Sequence, residues 1–262
     1  MTRGDTDEPL LASDEPAPVE VLRPAGRSAF FIVCDHAGAR IPRALGSLGL
    51  TEADLARHIA WDIGAASVAR RLADAFDACA VLQRYSRLVI DCNRPPASTT
   101  SIVSESERTP IPGNRHVDAA ERRRRERALF TPYHARIRRL LDERAAAGRR
   151  TVLVAMHSFT PQFLGVARPW QVGVLYQRDP RFARALLAVL RADAALSVGD
   201  NQPYAVGDLS DYAIPEHGEK RGLPHVEIEV RQDLIADEFG QREWAERLRI
   251  ALTLAAHDLE AR

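Results

Sequence analysis

The sequence predicts an α/β protein whose central sheet is mixed, largely parallel and flanked by helices. From residue 29 onward, short β-branched runs alternate with Ala-, Leu- and Arg-rich stretches of helical length. Strands separated by such helices imply right-handed crossovers between parallel neighbours. The 262 residues, 45% of them hydrophobic, are enough to bury one large core. We therefore predict a flexible tail over residues 1–20, where acidic, proline and small residues mix without periodicity, and a single domain over residues 21–262.

Five apolar runs are the predicted strands, and each ends in polar residues. They are residues 30–33, followed by Asp35 and His36; 87–92, followed by Asn93 and Arg94; 152–156, followed by His157 and Ser158; 172–175, followed by Tyr176; and 226–228, followed by Glu229. The predicted helices cover residues 52–75, 119–147, 180–195 and 242–259. Because the carboxyl ends of parallel strands meet at one edge of a sheet, we expect the polar residues to form one site there.

Two irregular stretches are expected to cover this site. Residues 95–116 are rich in Ser, Thr, Pro and Gly and follow Arg94 directly, which predicts a substrate-covering lid. Residues 200–223 lack helical periodicity and predict a second wall, from which Asn201, Tyr212 and His217 would contact substrate.

The composition excludes several classes of function. Lys and Arg together equal Asp and Glu in number, so no net charge draws the chain toward nucleic acid or a membrane surface. Cys34, Cys79 and Cys92 lie in apolar contexts without CxxC spacing, which argues against a disulfide framework and a thiolate zinc site. The N-terminus has neither the basic start nor the apolar run of a signal peptide, so we expect a cytoplasmic protein that acts on a small molecule.

Two histidines at predicted strand ends are candidate metal ligands. His36 precedes small residues that let the backbone turn tightly, and His157 repeats the arrangement on a distant strand. Zinc in hydrolases typically takes three His or carboxylate ligands and leaves a fourth position for water. Asp62 is the candidate carboxylate, on the helix expected to begin near residue 52, and Asp35 is the alternative. Each histidine taken singly also suits a hydrogen-bonded residue at a strand end.

Glu229 is the candidate general base. Strand periodicity places it on one face with Glu227 and Arg231, and charges on a buried strand face are costly without a purpose. Glu229 would take a proton from an attacking water and pass it to a leaving amine. The alternative is an ion pair with Arg231 on an edge strand.

Arginines near the second run are candidate anion receptors. Arg94 offers a planar fork for a carboxylate, with the Asn93 amide beside it, and Arg87 would neutralise an oxyanion. Asp91 would orient one of the arginines, or form a structural salt bridge beneath the following loop. Arg231 and Ser158 are further candidate substrate contacts.

The chain resembles the N-formylglutamate amidohydrolase family over residues 30–235. The stretches that carry the resemblance are DHAGARIP (35–42), WDIGA (61–65), SRLVIDCNRP (86–95), HSFTP (157–161), DNQPY (200–204) and EVRQDLI (229–235). The family is similar to zinc carboxypeptidases and aspartoacylases, which implies a phosphorylase/hydrolase-like α/β fold.

The resemblance also implies roles for matching residues. Asn93 and Arg94 would hold a substrate carboxylate, Arg87 would polarise the scissile carbonyl, and Glu229 would activate water. Carboxypeptidase-like enzymes usually supply zinc ligands as His-x-x-Glu, whereas Ala39 stands three residues after His36.

Together these observations predict a metal-dependent hydrolase of linear amide bonds that acts on an N-acyl, possibly N-formyl, amino acid. His36, Asp62 and His157 would hold zinc or another divalent metal. Two alternatives remain: a non-catalytic carboxylate-binding protein that has lost the metal, and a peptidase of the zinc-carboxypeptidase type.

Overall fold

A computed structural model describes residues 8–261 and confirms the predicted α/β class. Seven strands form one sheet in the order β1-β3-β2-β6-β11-β9-β10, and two further pairs, β4–β5 and β7–β8, are small hairpins. The strands are β1 Val19–Leu22, β2 Phe30–Cys34, β3 Cys79–Gln83, β4 Glu105–Ser106, β5 Thr109–Pro110, β6 Val152–Phe159, β7 Gln162–Phe163, β8 Val166–Ala167, β9 Val172–Leu175, β10 Val198–Asp200 and β11 His225–Arg231. The sheet is mixed because β1 and β9 run antiparallel to their neighbours β3 and β11, while the other pairs are parallel.

Within residues 8–261, six α-helices accompany the strands: α1 Glu52–Leu55, α2 Ala65–Phe76, α3 Ala119–Arg125, α4 Thr131–Ala146, α5 Arg181–Arg191 and α6 Glu238–Glu260. A π-helical turn, Glu126–Phe130, joins α3 to α4, so the predicted helix over 119–147 is confirmed as one continuous rod. Between residues 8 and 261, none of the helices has the length and apolar character that crossing a bilayer requires.

The sheet separates two hydrophobic cores because successive strand residues point to opposite faces. Phe30 and Ile32 of β2 pack in the core that α2, α5 and α6 cover. Phe31 and Val33 face the other core, which α4 covers together with the loops that follow β3. This arrangement buries β2 and β6 on both faces and places their carboxyl ends side by side at one edge of the sheet.

The predicted strand over residues 87–92 is instead a loop. Strand β3 ends earlier, at Gln83. Leu88, Val89 and Ile90 are all buried in one core, without the alternation of a strand. The carbonyls of Leu88 and Val89 accept from side chains rather than from a neighbouring strand, because Asn114 donates to the first and Arg125 to the second. An apolar run alone does not distinguish a buried strand from a buried loop.

The predicted helix over residues 52–75 is split. Helix α1 ends at Leu55 and α2 begins at Ala65, so Asp62 lies in the turn between them rather than on a helix. Gly64 adopts φ +79°, and a Cβ there would lie 2.2 Å from the Ile235 carbonyl oxygen. The break has a use, since the turn brings the Asp62 backbone N–H onto the His36 carbonyl at 2.9 Å.

The predicted tail lies partly outside the described residues, which begin at residue 8. Over residues 8–20 the chain packs onto the domain instead of standing free of it. Leu10 is 2% exposed in the α4-side core, Glu15 accepts from the Arg43 backbone N–H, and the Pro16 carbonyl accepts from the Tyr85 hydroxyl.

Candidate active site

Two histidines and one aspartate converge at the carboxyl edge of the sheet. His36 follows β2, His157 lies near the end of β6, and Asp62 reaches them from the turn before α2. Asp62 Oδ2 lies 2.8 Å from His157 Nδ1 and 3.4 Å from His36 Nδ1. One ligand atom from each residue lies within 4.8 Å of the other two, and all three residues are buried. The three residues predicted as metal ligands therefore lie close enough together to bind one ion.

The outer nitrogens of both imidazoles face further carboxylates. His36 Nε2 lies 2.7 Å from Asp91 Oδ1, and His157 Nε2 lies 3.3 Å from Asp35 Oδ2. A ring that directs its N–H toward an outer carboxylate presents the lone pair of its other nitrogen inward, as histidine ligands of metals do. Two imidazoles and one carboxylate are also the donor set of many zinc hydrolases. The residues therefore fit a divalent metal ion, with Asp62 as the carboxylate ligand and Asp35 in an outer position.

The charges of this cluster are strongly coupled. Burial acts to raise the pKa of Asp62, but the two histidines outweigh it and hold that pKa below its ordinary value. Burial acts to lower the pKa of His157, but Glu227 and the two aspartates raise it well above its ordinary value. The pocket is therefore built to concentrate carboxylate charge around the two rings, which is an environment that favours a cation.

Glycine makes the turn behind His36 possible. A Cβ on Gly38 would lie 2.0 Å from the Arg84 carbonyl oxygen, closer than any side chain can approach. A small residue behind this imidazole is therefore required for the close approach of the chain to Arg84.

Glu227 and Glu229 bring two buried carboxyl groups from β11 to the same site. Strand β11 lies between β6 and β9, so Glu229 is not on an edge strand, and in the parallel register it pairs with His157. Within the described chain, Oε2 of each glutamate is buried without a hydrogen-bond partner. Burial raises the pKa of both groups above the ordinary glutamate value, although His157 opposes it. An unpartnered buried carboxyl is costly and is found where chemistry requires it.

Arg87 is held by two carboxylates beside the cluster. Its Nη2 donates to Asp91 Oδ2 at 2.9 Å, and its Nη1 donates to Asp62 Oδ1 at 3.3 Å. Asp91 therefore forms an ion pair with Arg87, as both sequence interpretations of this aspartate expect. Arg87 thus presents a fixed positive charge next to the three candidate metal ligands.

Asn93 and Arg94 follow on the same loop, and both contact the 207–213 segment. Asn93 is 2% exposed, its Oδ1 accepts from the backbone N–H groups of Tyr212 and Ala213, and its Nδ2 donates to Asp211 Oδ1. Arg94 Nη1 donates to the Asn93 and Ser210 carbonyls. The amide therefore fastens the loop, while the guanidinium remains partly open to the cavity.

A cavity of about 430 Å³ joins these groups. The predicted site residues that line it are His36, Asp62, Arg87, Asn93, Arg94, His157, Ser158 and Glu229. Ile59, Leu88 and Val103 add apolar lining, and Ser106 and Glu107 of the β4–β5 hairpin close one side. Part of the predicted lid therefore does border the cavity.

Comparison with known proteins identifies the family. A model of the N-formylglutamate amidohydrolase family matches residues 28–236. The chain belongs to this family. Its members hydrolyse amide bonds, so the cavity described above is the candidate active site of an amidohydrolase, and the matched range contains every predicted site residue. No curated protein matches the chain significantly in sequence.

The solved structures similar to this N-formylglutamate amidohydrolase family member include two that cover nearly the whole chain. A gene product of Agrobacterium tumefaciens is 42% identical with a TM-score of 0.93, over 96% of this chain and 99% of that one. The N-formylglutamate amidohydrolase of Ralstonia eutropha is 17% identical with a TM-score of 0.65, over 92% of this chain and 98% of that one. The second likeness extends to the fold alone.

Four predicted substrate contacts do not line the cavity. Arg231 pairs with Asp233 at the end of β11, so it is neither a partner of Glu229 nor part of the cavity wall. Asn201 accepts from the Tyr176 backbone N–H and fastens the chain after β10 to the end of β9. These polar side chains support the loops around the cavity.

The other two predicted contacts, Tyr212 and His217, belong to a buried cluster of aromatic rings beneath the loop that carries Asn93. His217 Nε2 lies 2.9 Å from His134 Nδ1, and Tyr212 packs edge-on against His134 with ring centroids 4.5 Å apart. His134 Nε2 donates in turn to the Cys92 carbonyl. Since a carbonyl only accepts, His134 Nδ1 is an acceptor and His217 is the donor. Ser158 does line the cavity, but its hydroxyl donates to the Ile63 carbonyl and so fixes the Asp62 turn.

Several cavity residues escaped sequence reasoning. His58, which received no predicted role, lies 3.1 Å from Glu107 in the wall formed by the lid hairpin. Asp211 and Tyr204 also line the cavity. Tyr204 ends the DNQPY motif and could have been selected from it, whereas no local pattern marks His58, Glu107 or Asp211.

Proposed function

We propose that this protein is a metal-dependent amidohydrolase that cleaves an N-acyl amino acid, with N-formylglutamate among the candidates, into a carboxylic acid and an amine. The observation that carries the proposal is the convergence of His36, Asp62 and His157 beside the unpartnered carboxyl of Glu229 in one cavity. Family membership supports amide hydrolysis in general, and the metal, the substrate and the residue roles are the proposed part.

His36 Nδ1, Asp62 Oδ2 and His157 Nδ1 would hold zinc or another divalent ion. When bound, such an ion polarises a carbonyl and lowers the pKa of water. Asp91 keeps the His36 imidazole oriented through a hydrogen bond to its outer nitrogen, and Asp35 faces the outer nitrogen of His157 at 3.3 Å.

Glu229 performs the proton transfer. Its Oε2 accepts a proton from the water that attacks the amide carbon, and it then gives that proton to the nitrogen of the leaving amine. Water supplies the hydroxyl group of the new acid and the hydrogen of the new amine, so the reaction needs no further reactant. The free Oε2 and the burial of the carboxyl suit both halves of this cycle.

Arg87 and Arg94 bind the two negative charges of the reaction. Arg87 lies beside Asp62 and stabilises the oxyanion that forms at the scissile carbonyl. Arg94 binds the carboxylate of the amino-acid part, on a loop that Asn93 fixes. Ile59, Leu88 and Val103 provide apolar surface for the remaining substrate atoms.

One experiment tests the proposal against a binding protein that has lost its metal. Protein purified without added zinc is analysed for metals, and the metal-replete protein is screened for amine release from a panel of N-acyl amino acids that includes N-formylglutamate. Bound metal with amine release is the expected result. Absence of metal together with retained affinity for amino-acid carboxylates would establish the binding protein instead.

A further inference from the structure

The proposed carboxylate receptor already holds a carboxylate of the chain itself. Asp211 Oδ1 accepts a hydrogen bond from Asn93 Nδ2 at 3.2 Å and lies 3.8 Å from Arg94 Nη1. Asp211 is only 8% exposed and lines the cavity. A substrate acid that binds at Arg94 therefore meets a resident negative charge.

Asp211 is fixed in this position by its own turn. Its Oδ2 accepts from the Gly207 backbone N–H at 2.9 Å and from the Ser210 hydroxyl at 2.7 Å. Asn93 holds the next two residues through their backbone N–H groups. With both oxygens satisfied, the carboxylate is part of the cavity wall.

The remaining cavity arginine is also paired. Arg87 contacts Asp62 and Asp91. In the described part of the chain, Arg87 and Arg94 are the arginines that line the cavity. The hydrogen bonds that Arg94 makes within residues 8–261 all use Nη1, which leaves Nε and Nη2 for a ligand. The cavity thus offers one partly open guanidinium edge for one carboxylate.

We propose that Asp211 is a specificity-determining residue that favours, among the N-acyl amino acids proposed above, those with one carboxylate and an uncharged side chain, so that a dicarboxylic substrate such as N-formylglutamate would be a poor one. The inference rests on the proposed role of Arg94 in amide hydrolysis. A second substrate acid finds no unpaired arginine on the wall and is repelled by Asp211, whereas an apolar side chain meets Ile59, Leu88 and Val103. Asp211 therefore disfavours dicarboxylic substrates by charge.

Kinetics on matched substrates test this role. The wild-type enzyme is expected to have a lower KM for N-acetylleucine than for N-acetylglutamate. In Asp211→Asn, KM for both acids should fall on the order of tenfold, with the larger fall for N-acetylglutamate, because a like charge next to a bound carboxylate has been removed. KM for N-acetylleucine methyl ester should not change, and the effect should shrink at high salt.

Asp208→Asn is the matched control. Asp208 belongs to the same turn and carries the same charge, but its side chain is exposed, pairs with Arg178 and does not line the cavity. Its KM values should equal those of the wild type. An acid-to-ester KM ratio that is unchanged in Asp211→Asn, or changed equally in Asp208→Asn, would overturn the proposal.

Two further measurements keep the test decisive. If Asp211→Asn does not fold, Asp211→Ser, which retains an acceptor for the Gly207 N–H, must shift the same ratio. Calorimetric titration of N-acetylglutamate into Glu229→Gln protein, with and without Asp211→Asn, measures carboxylate binding without turnover. Tighter binding in the double variant supports the role of Asp211 even if the wild-type protein hydrolyses no amide, and equal binding refutes it.

Discussion

Glu229 of β11 lies directly beside His157 of β6 in the parallel register of the sheet. The pairing fixes a carboxyl group next to a candidate metal ligand through backbone hydrogen bonds rather than through flexible side chains. Glu227, two residues earlier, shares the same face and the same burial. Substituting the two glutamates one at a time therefore separates the proposed catalytic role of Glu229 from the effect of removing a buried carboxyl group.

Glu229→Gln should lower kcat by about 10²–10⁴-fold, because the amide cannot accept the proton of the attacking water. Glu227→Gln should reduce kcat far less. The charges that act on Glu229 include those of Asp62 and Arg87, which are proposed to take part in the reaction, whereas the charges of Asp211 and Asp35 act on Glu227. Steady-state amine release and metal analysis check the prediction. Equal losses in both variants would remove the distinction between them.

Asp91→Asn should weaken metal affinity by about 10–100-fold while leaving the three ligands in place, because Asp91 orients the His36 imidazole. Asp62→Asn should lower the metal affinity more than Asp91→Asn does, since it removes a proposed ligand. Competition with a chelator gives the affinities, and His257→Asn on the exposed face of α6 is the control. Wild-type affinity in Asp62→Asn would show that this carboxylate is not a ligand.

Arg94→Ala should raise KM for carboxylated substrates by about 10–100-fold, the value of a hydrogen bond to a charged group. Its effect on the methyl esters should be small. Arg231→Ala is the matched control, because Arg231 pairs with Asp233 away from the cavity and should leave KM unchanged. A KM change of the same size for acids and esters would argue against the anchor.

Stability should fall in mild acid through the His134–His217 pair. Burial lowers the pKa of His134 to about 4 and that of His217 to about 2, so both rings are neutral in the folded protein near neutral pH. Unfolded histidines titrate near pH 6.5, so the unfolded state binds more protons below that pH. This contribution is complete above pH 6.5 and is lost as the pH falls toward 4 and then 2.

The magnitude follows from that linkage. Between pH 6.5 and 5, each histidine should cost about 2 kcal/mol of unfolding free energy. Denaturant unfolding of His217→Gln, with chelator present throughout, should therefore show a shallower acid slope than the wild type. Parallel slopes would contradict the assignment of this pH dependence to His217.

The sequence by itself determined the alternation of strands and helices, and this was enough for the fold class. The β2, β6, β9 and β11 runs are recognisable because β-branched residues recur at strand length. It also marked His36, His157 and Glu229, because polar residues at the carboxyl ends of parallel strands lie at one edge of a sheet. The prediction is wrong for Tyr176, since β9 is antiparallel to β11 and ends at the opposite edge. These inferences use local periodicity and the geometry of parallel strands, both of which are properties of short segments.

Only the tertiary structure decided how loops complete the site. The sequence predicts a strand over residues 87–92 because they form an apolar run, yet they are a loop in which Asn114 and Arg125 donate to the Leu88 and Val89 carbonyls from distant positions. The turn that carries Asp62 ends at Gly64, whose close approach to Ile235 leaves no room for a Cβ. Asp211 reaches Asn93 from 118 residues away. Such contacts depend on chain packing that no short segment encodes, which is why the sequence indicated the type of site while the folded chain set its carboxylate partners and its charge balance.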